Sequence, residues 1–296
     1  MRANEGRDPV LILSCWEDVA KELAIRSGRR CVVFDRIGFS LSSRPLRGET
    51  LSGGGQDAGP GPGEEESEDA VLEPHGTVSQ ARVALFLCRK LKIATVDVVA
   101  HDDAAPAAML LASRERRAAL ADAGGASAGT LPEVRSLCLL HPNTSGDVAS
   151  KLMEHLITSG IKAAARRHLV RMEVEVALRR QCYASRSIAP ERMHFYKRPL
   201  HLKNWEKALQ LGIRAATRGA DVDLGEDLAK GLAKGGAAGP GRVLVATGAH
   251  DSVARPEVVR PLFAPRDVRV FEDCGHLSQE ECPEELVRCL VDFLRG

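Results

Sequence analysis

The sequence predicts an α/β fold, a mostly parallel sheet with helices on both of its faces. Three apolar runs of β type carry this prediction, at 96–100, 242–247 and 268–271. Short, mainly apolar runs of this kind are typical of strands in a parallel sheet that is buried on both faces. Helical patterns lie between them, as the crossovers of such a sheet require. A chain of 296 residues is long enough to bury a large core.

The part of the chain before the first run predicts one strand and one helix. The strand is expected at 9–13. Segment 47–76 is rich in Gly, Pro and Glu, so it cannot bury apolar surface and is expected to be a flexible acidic insertion. From 78 to 91 the apolar residues recur at helical spacing. That helix is expected to bury Val78, Ala81, Val83, Leu85, Phe86 and Leu91.

The part after the first run predicts a helix at 106–112 and a strand at 134–140, with a Gly/Ala-rich insertion at 121–129. A helical region then interrupts the α/β pattern, and it includes a long basic helix at 163–180. We therefore expect three parts: a first core segment at 1–141, a helical cap at 142–239 and a second core segment at 240–296.

The turn after the first run has the pattern small-x-Asp-x-small, with Ala100, Asp102 and Ala104 in its fixed places. A nucleophile on a sharp strand-to-helix turn needs small neighbours because the backbone there is crowded. An Asp is already ionised at neutral pH and can attack alkyl carbon, giving an alkyl-ester intermediate. A lone Asp at a strand end can also be a helix cap or a turn former. His101 is expected to pack the turn, and Asp103 to be a first-turn acid.

Two later strands end in residues that could complete a catalytic triad. The run at 242–247 leads into Asp251, and the run at 268–271 leads into His276. Nucleophile, acid and histidine then occur in the order Asp102, Asp251, His276, each just past the end of a strand. Parallel strands present these ends at one edge of the sheet, so we expect the three side chains to meet there.

In these motifs the chain resembles the α/β-hydrolase superfamily. With Asp rather than Ser at the turn, the chain resembles the branch of this superfamily that contains epoxide hydrolases and haloalkane dehalogenases. The similarity spans roughly 9–45, 77–142 and 241–295. The segments similar to the family's acid loop, histidine loop and loop after its fourth strand are Gly248–Val253, Gly275–Glu284 and Asp35–Pro45.

The resemblance implies a two-step hydrolysis. Asp102 would form a covalent ester, and His276, oriented by Asp251, would activate the water that hydrolyses it. The backbone N–H of Asp103 would stabilise the oxyanion of the second step. In epoxide hydrolases, cap tyrosines donate a hydrogen bond to the epoxide oxygen, and Tyr196 is the candidate here, although it could equally be a packing residue. No cofactor and no metal ion are implied.

The chain departs from the family pattern at its N-terminal side. Relatives carry a His-Gly pair after the first long strand, whereas here 9–13 runs directly into Ser14, Cys15 and Trp16. The family's first two strands are also expected to be missing. A truncated gene model, a real deletion or a degenerate active site would give the same pattern. Loss of one oxyanion donor costs about a hundred-fold or more in rate.

Other titratable or aromatic residues have no assigned role at this level. His75, His141 and His250 are expected to be ordinary loop histidines, because no spacing beside them predicts a metal site. Neither tryptophan, Trp16 or Trp205, adjoins the turn at 100–104 in sequence. Dehalogenases usually place Trp after the nucleophile to bind halide. The Asp at position 103 argues against that activity through like-charge repulsion.

Two functions remain open. The first is an epoxide-hydrolase-like enzyme acting on a small, apolar substrate. The second is a catalytically impaired protein of the same fold that serves as a binding or interaction module. A net charge of +1 disfavours nucleic acid as a partner, and no run approaches the length of a membrane span. The eight scattered cysteines predict reduced thiols in the cytoplasm. Substrate identity and oligomeric state stay open.

Overall fold

The structure is a computed structural model of the chain, and it describes residues 8–13, 16–44, 73–122, 131–143, 163–184, 188–216, 227–232 and 239–296. Six strands in the described residues form one sheet in the order β2-β1-β3-β4-β5-β6, and every neighbouring pair is parallel. The predicted α/β fold with a mostly parallel sheet is therefore confirmed. The strands are β1 Val10–Leu13, β2 Cys31–Val33, β3 Thr95–His101, β4 Glu133–Leu140, β5 Arg242–Gly248 and β6 Val268–Phe271.

Helices cover both faces of this sheet. Those of the core are α1 Glu17–Ser27, α2 Thr77–Lys90, α3 Ala105–Ala112, α4 Arg114–Asp122, α9 Pro256–Val259, α10 Ser278–Glu281 and α11 Pro283–Arg295. Between β4 and β5 the described residues contain only helices and turns. These helices are α5 Ala163–Gln181, α6 Pro190–Lys197, α7 Trp205–Ala216 and α8 at 227–232. Among the described residues, no helix is both long and apolar enough to cross a membrane.

The alternation of side chains in β1 divides the core into two layers. Leu11 and Leu13 join a cluster with α2 and α3 on one face, whereas Val10 and Ile12 join α1 and α11 on the other. All four side chains are completely buried. Burying each such side chain contributes about 1.5–3 kcal/mol. Val98 and Val99 of β3 divide between the same two clusters, so the strand that leads to Asp102 is packed on both faces.

The register of the strands brings their carboxyl ends to one edge. Leu13 lies opposite Ala100, and His101 lies opposite Leu140. Gly248 in turn lies opposite Phe271. The residues that directly follow β3, β4, β5 and β6 therefore gather in one place, which is where the sequence predicts a site.

The helix predicted at 78–91 is confirmed as α2, but part of its predicted buried face is wrong. Phe86 is 55% exposed and Leu91 is 42% exposed. The buried stripe includes Ala81, Leu85 and Cys88, and the opposite side of the helix faces solvent. There the Lys90 ammonium lies over the Phe86 ring, which accounts for an exposed aromatic. Most of the predicted insertions at 47–76 and 121–129 lies outside the described residues.

Candidate active site

Asp102 lies on a sharp turn between β3 and α3. Its φ is +54°, a left-handed conformation that is uncommon for residues other than glycine. Ala100 and Ala104 on either side are completely buried. The backbone carbonyl of Asp102 accepts a hydrogen bond from the N–H of Asn143 at 3.2 Å, which fixes the turn against the end of β4. Strand, strained turn and helix thus occur in the order that a nucleophile elbow requires.

The three side chains of the predicted triad lie in one line of contacts. His276 Nε2 is 3.5 Å from Asp102 Oδ1. On the other side of the ring, His276 Nδ1 lies 3.1 Å from Asp251 Oδ1 and 3.0 Å from Oδ2. The His276 side chain is 1% exposed, that of Asp251 is fully buried, and that of Asp102 is 27% exposed. Asp102 is therefore the most exposed of the three side chains.

The charges of the triad stabilise one another. Burial would lower the pKa of His276, but the charges and hydrogen bonds of Asp102 and Asp251 outweigh it and raise that pKa to about 10. Burial would likewise raise the pKa of both carboxyls, and the neighbouring histidines lower it instead. The free site therefore holds an imidazolium between two carboxylates.

A second histidine, His141, contacts the triad acid and was missed by the sequence analysis. It directly follows β4, has a φ of +49° and is completely buried. Its Nδ1 lies 2.8 Å from Asp251 Oδ2. The expectation that His141 is an ordinary loop histidine is therefore wrong. Its position one residue past a strand end, at the same edge as Asp102, was the signal that could have identified it.

Asp103 makes an ion pair with Arg36, from the loop after β2. The two side chains are only 15% and 11% exposed. Burial is the main factor that raises the pKa of Asp103, and the Asp102 charge adds to it, while Arg36 opposes both. Arg36 thus offsets the negative charge that Asp103 places beside Asp102.

Trp16 lies against the elbow in space, although it does not adjoin it in sequence. Its ring and the His101 ring are 5.0 Å apart in an edge-on arrangement, and Trp16 is 3% exposed. His101 Nε2 contacts the backbone oxygen of His276 at 3.1 Å. Burial and the neighbouring histidines lower the pKa of His101 to about 3. His101 packs the turn as expected, and it also contacts the histidine loop.

The C-terminal end of α5 is docked on the histidine loop. The N–H of His276 donates to the carbonyl of Gln181 at 2.7 Å. The N–H of Tyr183 donates to Glu281 at 2.6 Å, and the same carboxylate accepts from the N–H of Gly275 at 2.9 Å. The helices between β4 and β5 thus help to hold the backbone of His276.

Tyr196 lies nearby, on α6. Its hydroxyl donates to Glu280 Oε1 at 2.8 Å, and Arg192 binds the same carboxylate at 2.7 Å. Tyr183 stacks on the ring of His250 with 4.0 Å between centroids. His75, the third expected loop histidine, is buried beside Gly38.

Among the described residues, two sets of three side chains have the composition of a metal site. One consists of His101, Asp102 and His276, and the other of His141, Asp251 and His276. In each group the donor atoms lie within 4.8 Å of one another. Contacts among these same atoms build the triad, so the arrangement fits proton transfer between buried side chains. Both groups thus consist of residues of the predicted triad and its neighbours.

Comparisons with known proteins agree with this geometry. The profile of the alpha/beta hydrolase family matches residues 10–288. The structure is similar to Cfl2 from Burkholderia cenocepacia, at 17% identity over 99% of this chain and 90% of that one, with a TM-score of 0.65. No curated protein sequence matches significantly.

Two further solved structures share the fold. Haloalkane dehalogenase DbeA from Bradyrhizobium elkani has 18% identity and a TM-score of 0.66, over 99% of this chain and 91% of that one. The epoxide hydrolase CorEH has 17% identity and a TM-score of 0.62, over 98% of this chain and 92% of that one. At such identities the likeness establishes the fold. Because the family profile spans nearly the whole sequence, this chain is a hydrolase of the alpha/beta hydrolase family.

Proposed function

We propose that the protein hydrolyses epoxides of small, apolar molecules through a covalent ester on Asp102. The observation that carries this proposal is a carboxylate at the nucleophile elbow, 3.5 Å from an imidazole that is itself held by Asp251. A serine at this position would need a base to remove its proton, whereas a carboxylate does not. Free thiols at every described cysteine fit a reducing compartment such as the cytoplasm.

In the first step, Asp102 attacks an epoxide carbon. A C–O bond forms to the carboxylate, the ring C–O bond breaks, and its electron pair goes to the epoxide oxygen, which takes up a proton. The cap would supply this proton. Tyr196 is the candidate from the sequence. Because its hydroxyl donates to Glu280 in the structure, a donor role requires that this bond breaks.

In the second step, His276 acts as a base. The ester removes the negative charge of Asp102, and this charge is a major cause of the raised pKa of His276. Esterification therefore lowers that pKa and allows His276 to lose its proton to solvent, from which the cap donor recovers the proton that it gave to the epoxide oxygen. The imidazole then takes a proton from water as the water oxygen bonds to the ester carbonyl carbon. The backbone N–H of Asp103 would donate to the resulting oxyanion. As the oxyanion collapses, the ester C–O bond breaks, its electron pair goes to the alkyl oxygen, and that oxygen takes the proton held by His276, which releases the diol. The carboxylic acid left on Asp102 then gives its proton to His276, which restores the carboxylate and the imidazolium.

Dehalogenation is the second candidate, and two contacts favour it. Arg36 pairs with Asp103 and so weakens the charge repulsion that would oppose a departing halide. Trp16, whose indole could donate to halide, packs on the residue before Asp102. Both reactions use the same ester on Asp102, so they differ only in the leaving group.

The decisive experiment is intact mass spectrometry of His276→Gln after incubation with a panel of epoxides and alkyl halides. Without its base the protein should accumulate the ester, which peptide mapping should place on Asp102. An epoxide adds its full mass, whereas an alkyl halide adds only its alkyl group, so the mass identifies the reaction. The double variant Asp102→Asn/His276→Gln is the matched control and should stay unmodified.

A folded His276→Gln protein that forms no adduct with the panel would contradict the proposal. That result would favour the alternative, a catalytically impaired member of the family that binds a partner or ligand. An adduct that persists in the Asp102→Asn control would exclude Asp102 as the nucleophile.

A further inference from the structure

His141 is a buried titratable group that the proposed reaction does not use. Its Nδ1 lies 2.8 Å from Asp251 Oδ2, and both side chains are completely buried. A carboxylate can only accept hydrogen bonds, so His141 Nδ1 carries the proton and donates it. Asp251 therefore accepts from two imidazoles, His141 and His276.

The two oxygens of Asp251 have different partners. Oδ1 accepts from the backbone N–H groups of Val253 at 2.8 Å and Ala254 at 2.9 Å. His276 lies about equally far from both oxygens. Among the described residues, the two histidines are the only hydrogen-bond partners of Oδ2. Without His141, that oxygen would direct its negative charge at His276 alone.

His141 stays neutral in this environment. Its Nε2 is buried and has no hydrogen-bond partner among the residues that the structure describes, so a second proton would place an unpaired N–H in this part of the core. Burial is the main cause that lowers the pKa of His141, although Asp251 opposes it. The ionisable groups that face it are Asp251, His276, Asp102 and His101, from the ends of three strands. Of these, His276 is the cation, and it also disfavours a charge on His141.

We propose that His141 is a positioning residue, which orients the Asp251 carboxylate and limits the negative charge that this carboxylate presents to His276. The inference rests on the proposed function, because its consequence is a base that loses its proton more readily once Asp102 is esterified. Hydrogen bonds to a carboxylate stabilise its charged form and so weaken its attraction for a neighbouring imidazolium.

The test follows the titration of His276 by NMR in Asp102→Asn protein, where the neutral amide stands in for the ester. In that background the pKa of His276 should fall below about 10. Adding His141→Phe, which keeps a ring but removes the donor, should raise it again by about one unit. His141→Asn should restore it, because its side-chain N–H lies near the position of Nδ1 and Asn tolerates a positive φ.

An unchanged titration of His276 in His141→Phe would overturn the inference, even if that variant were less stable. If His141→Phe does not fold, His141→Gly provides the same comparison, since glycine suits the left-handed backbone and also lacks the donor. The single variant His141→Phe, with Asp102 intact, tests the same point by kinetics. The apparent pKa in the pH profile of ester hydrolysis should be higher than in the wild type, and KM should change little. If no ester forms on Asp102 at all, the proposed function fails, and the NMR result still decides the role of His141.

Discussion

Gly248 and Gly275 pack backbone against backbone, and this contact joins the loop that carries Asp251 to the loop that carries His276. A Cβ at position 248 would lie within 3.0 Å of the carbonyl oxygen of Gly275, closer than real Cβ atoms come. The obstacle is main chain rather than a side chain that could rotate away. The distance between acid and base therefore depends on the missing side chain at Gly248.

We expect Gly248→Ala to lower the free energy of unfolding by about 2–4 kcal/mol, because the two loops must move apart. The same movement should lengthen the contact between Asp251 and His276 and reduce ester hydrolysis at least tenfold. Urea unfolding and single-turnover kinetics measure the two effects.

Gly212→Ala is the matched control for this substitution. Gly212 lies inside α7, and nothing lies within 4 Å of the Cβ that it would gain. Alanine there should raise stability by about 0.5–1 kcal/mol, as expected in a helix interior. If Gly248→Ala proved as harmless as this control, the close approach of the two loops would not set the geometry.

The elbow could be predicted from the sequence because its determinants are local. Ala100, Asp102 and Ala104 lie within five consecutive residues, at the junction of a buried, mainly apolar strand and an apolar helix. Asp251 and His276 could also be predicted, because each comes soon after a strand of the same sheet.

The contacts that tune the site could not be predicted, because they join distant parts of the chain. Arg36 and Asp103 are 67 residues apart, and His141 and Asp251 are 110 apart. No periodicity links such pairs, and only the register of the parallel strands brings them together. The exposure of Phe86 was missed for a related reason: an apolar residue in an amphipathic pattern need not lie on its buried face.

The stability of the protein should fall at alkaline pH because of His276. Its pKa is about 10 in the folded protein against an ordinary value of 6.5. A raised pKa means that the protonated group stabilises the fold fully below pH 6.5 and loses that contribution as pH rises through 10. The free energy of unfolding, measured at pH 7, 8.5 and 10 with a reductant present, should therefore decrease from each pH to the next.

Asp102→Asn provides the comparison for this pH dependence. It removes a charge that raises the pKa of His276. The imidazolium should therefore stabilise the variant less than the wild type already at pH 7. The difference in stability between wild type and this variant should narrow from pH 7 to pH 10. Parallel curves would show that the ion pair with Asp102 does not control the titration of His276.

Tyr196→Phe separates the two roles that this residue could have. Its hydroxyl donates to Glu280, which also binds Arg192, so the structure favours a role in docking α6 on the histidine loop. We expect a fall in Tm of about 2–4 °C and less than a tenfold change in the rate of ester formation. A loss of a hundred-fold or more in that step would instead identify Tyr196 as the proton donor to the epoxide oxygen.

The other end of β3 provides a test of stability that leaves the site intact. Asp97 is completely buried and binds Arg29, Arg135 and Ser136. Asp97→Ala would leave the Arg29 guanidinium, 4% exposed, without its counter-charge. Removing one partner of a buried pair costs about 3–5 kcal/mol, whereas replacing both with apolar residues is often neutral. We therefore expect Asp97→Leu/Arg29→Met to be more stable than Asp97→Ala in urea unfolding. Equal instability of the two variants would mean that shape in this region matters more than the uncompensated charge.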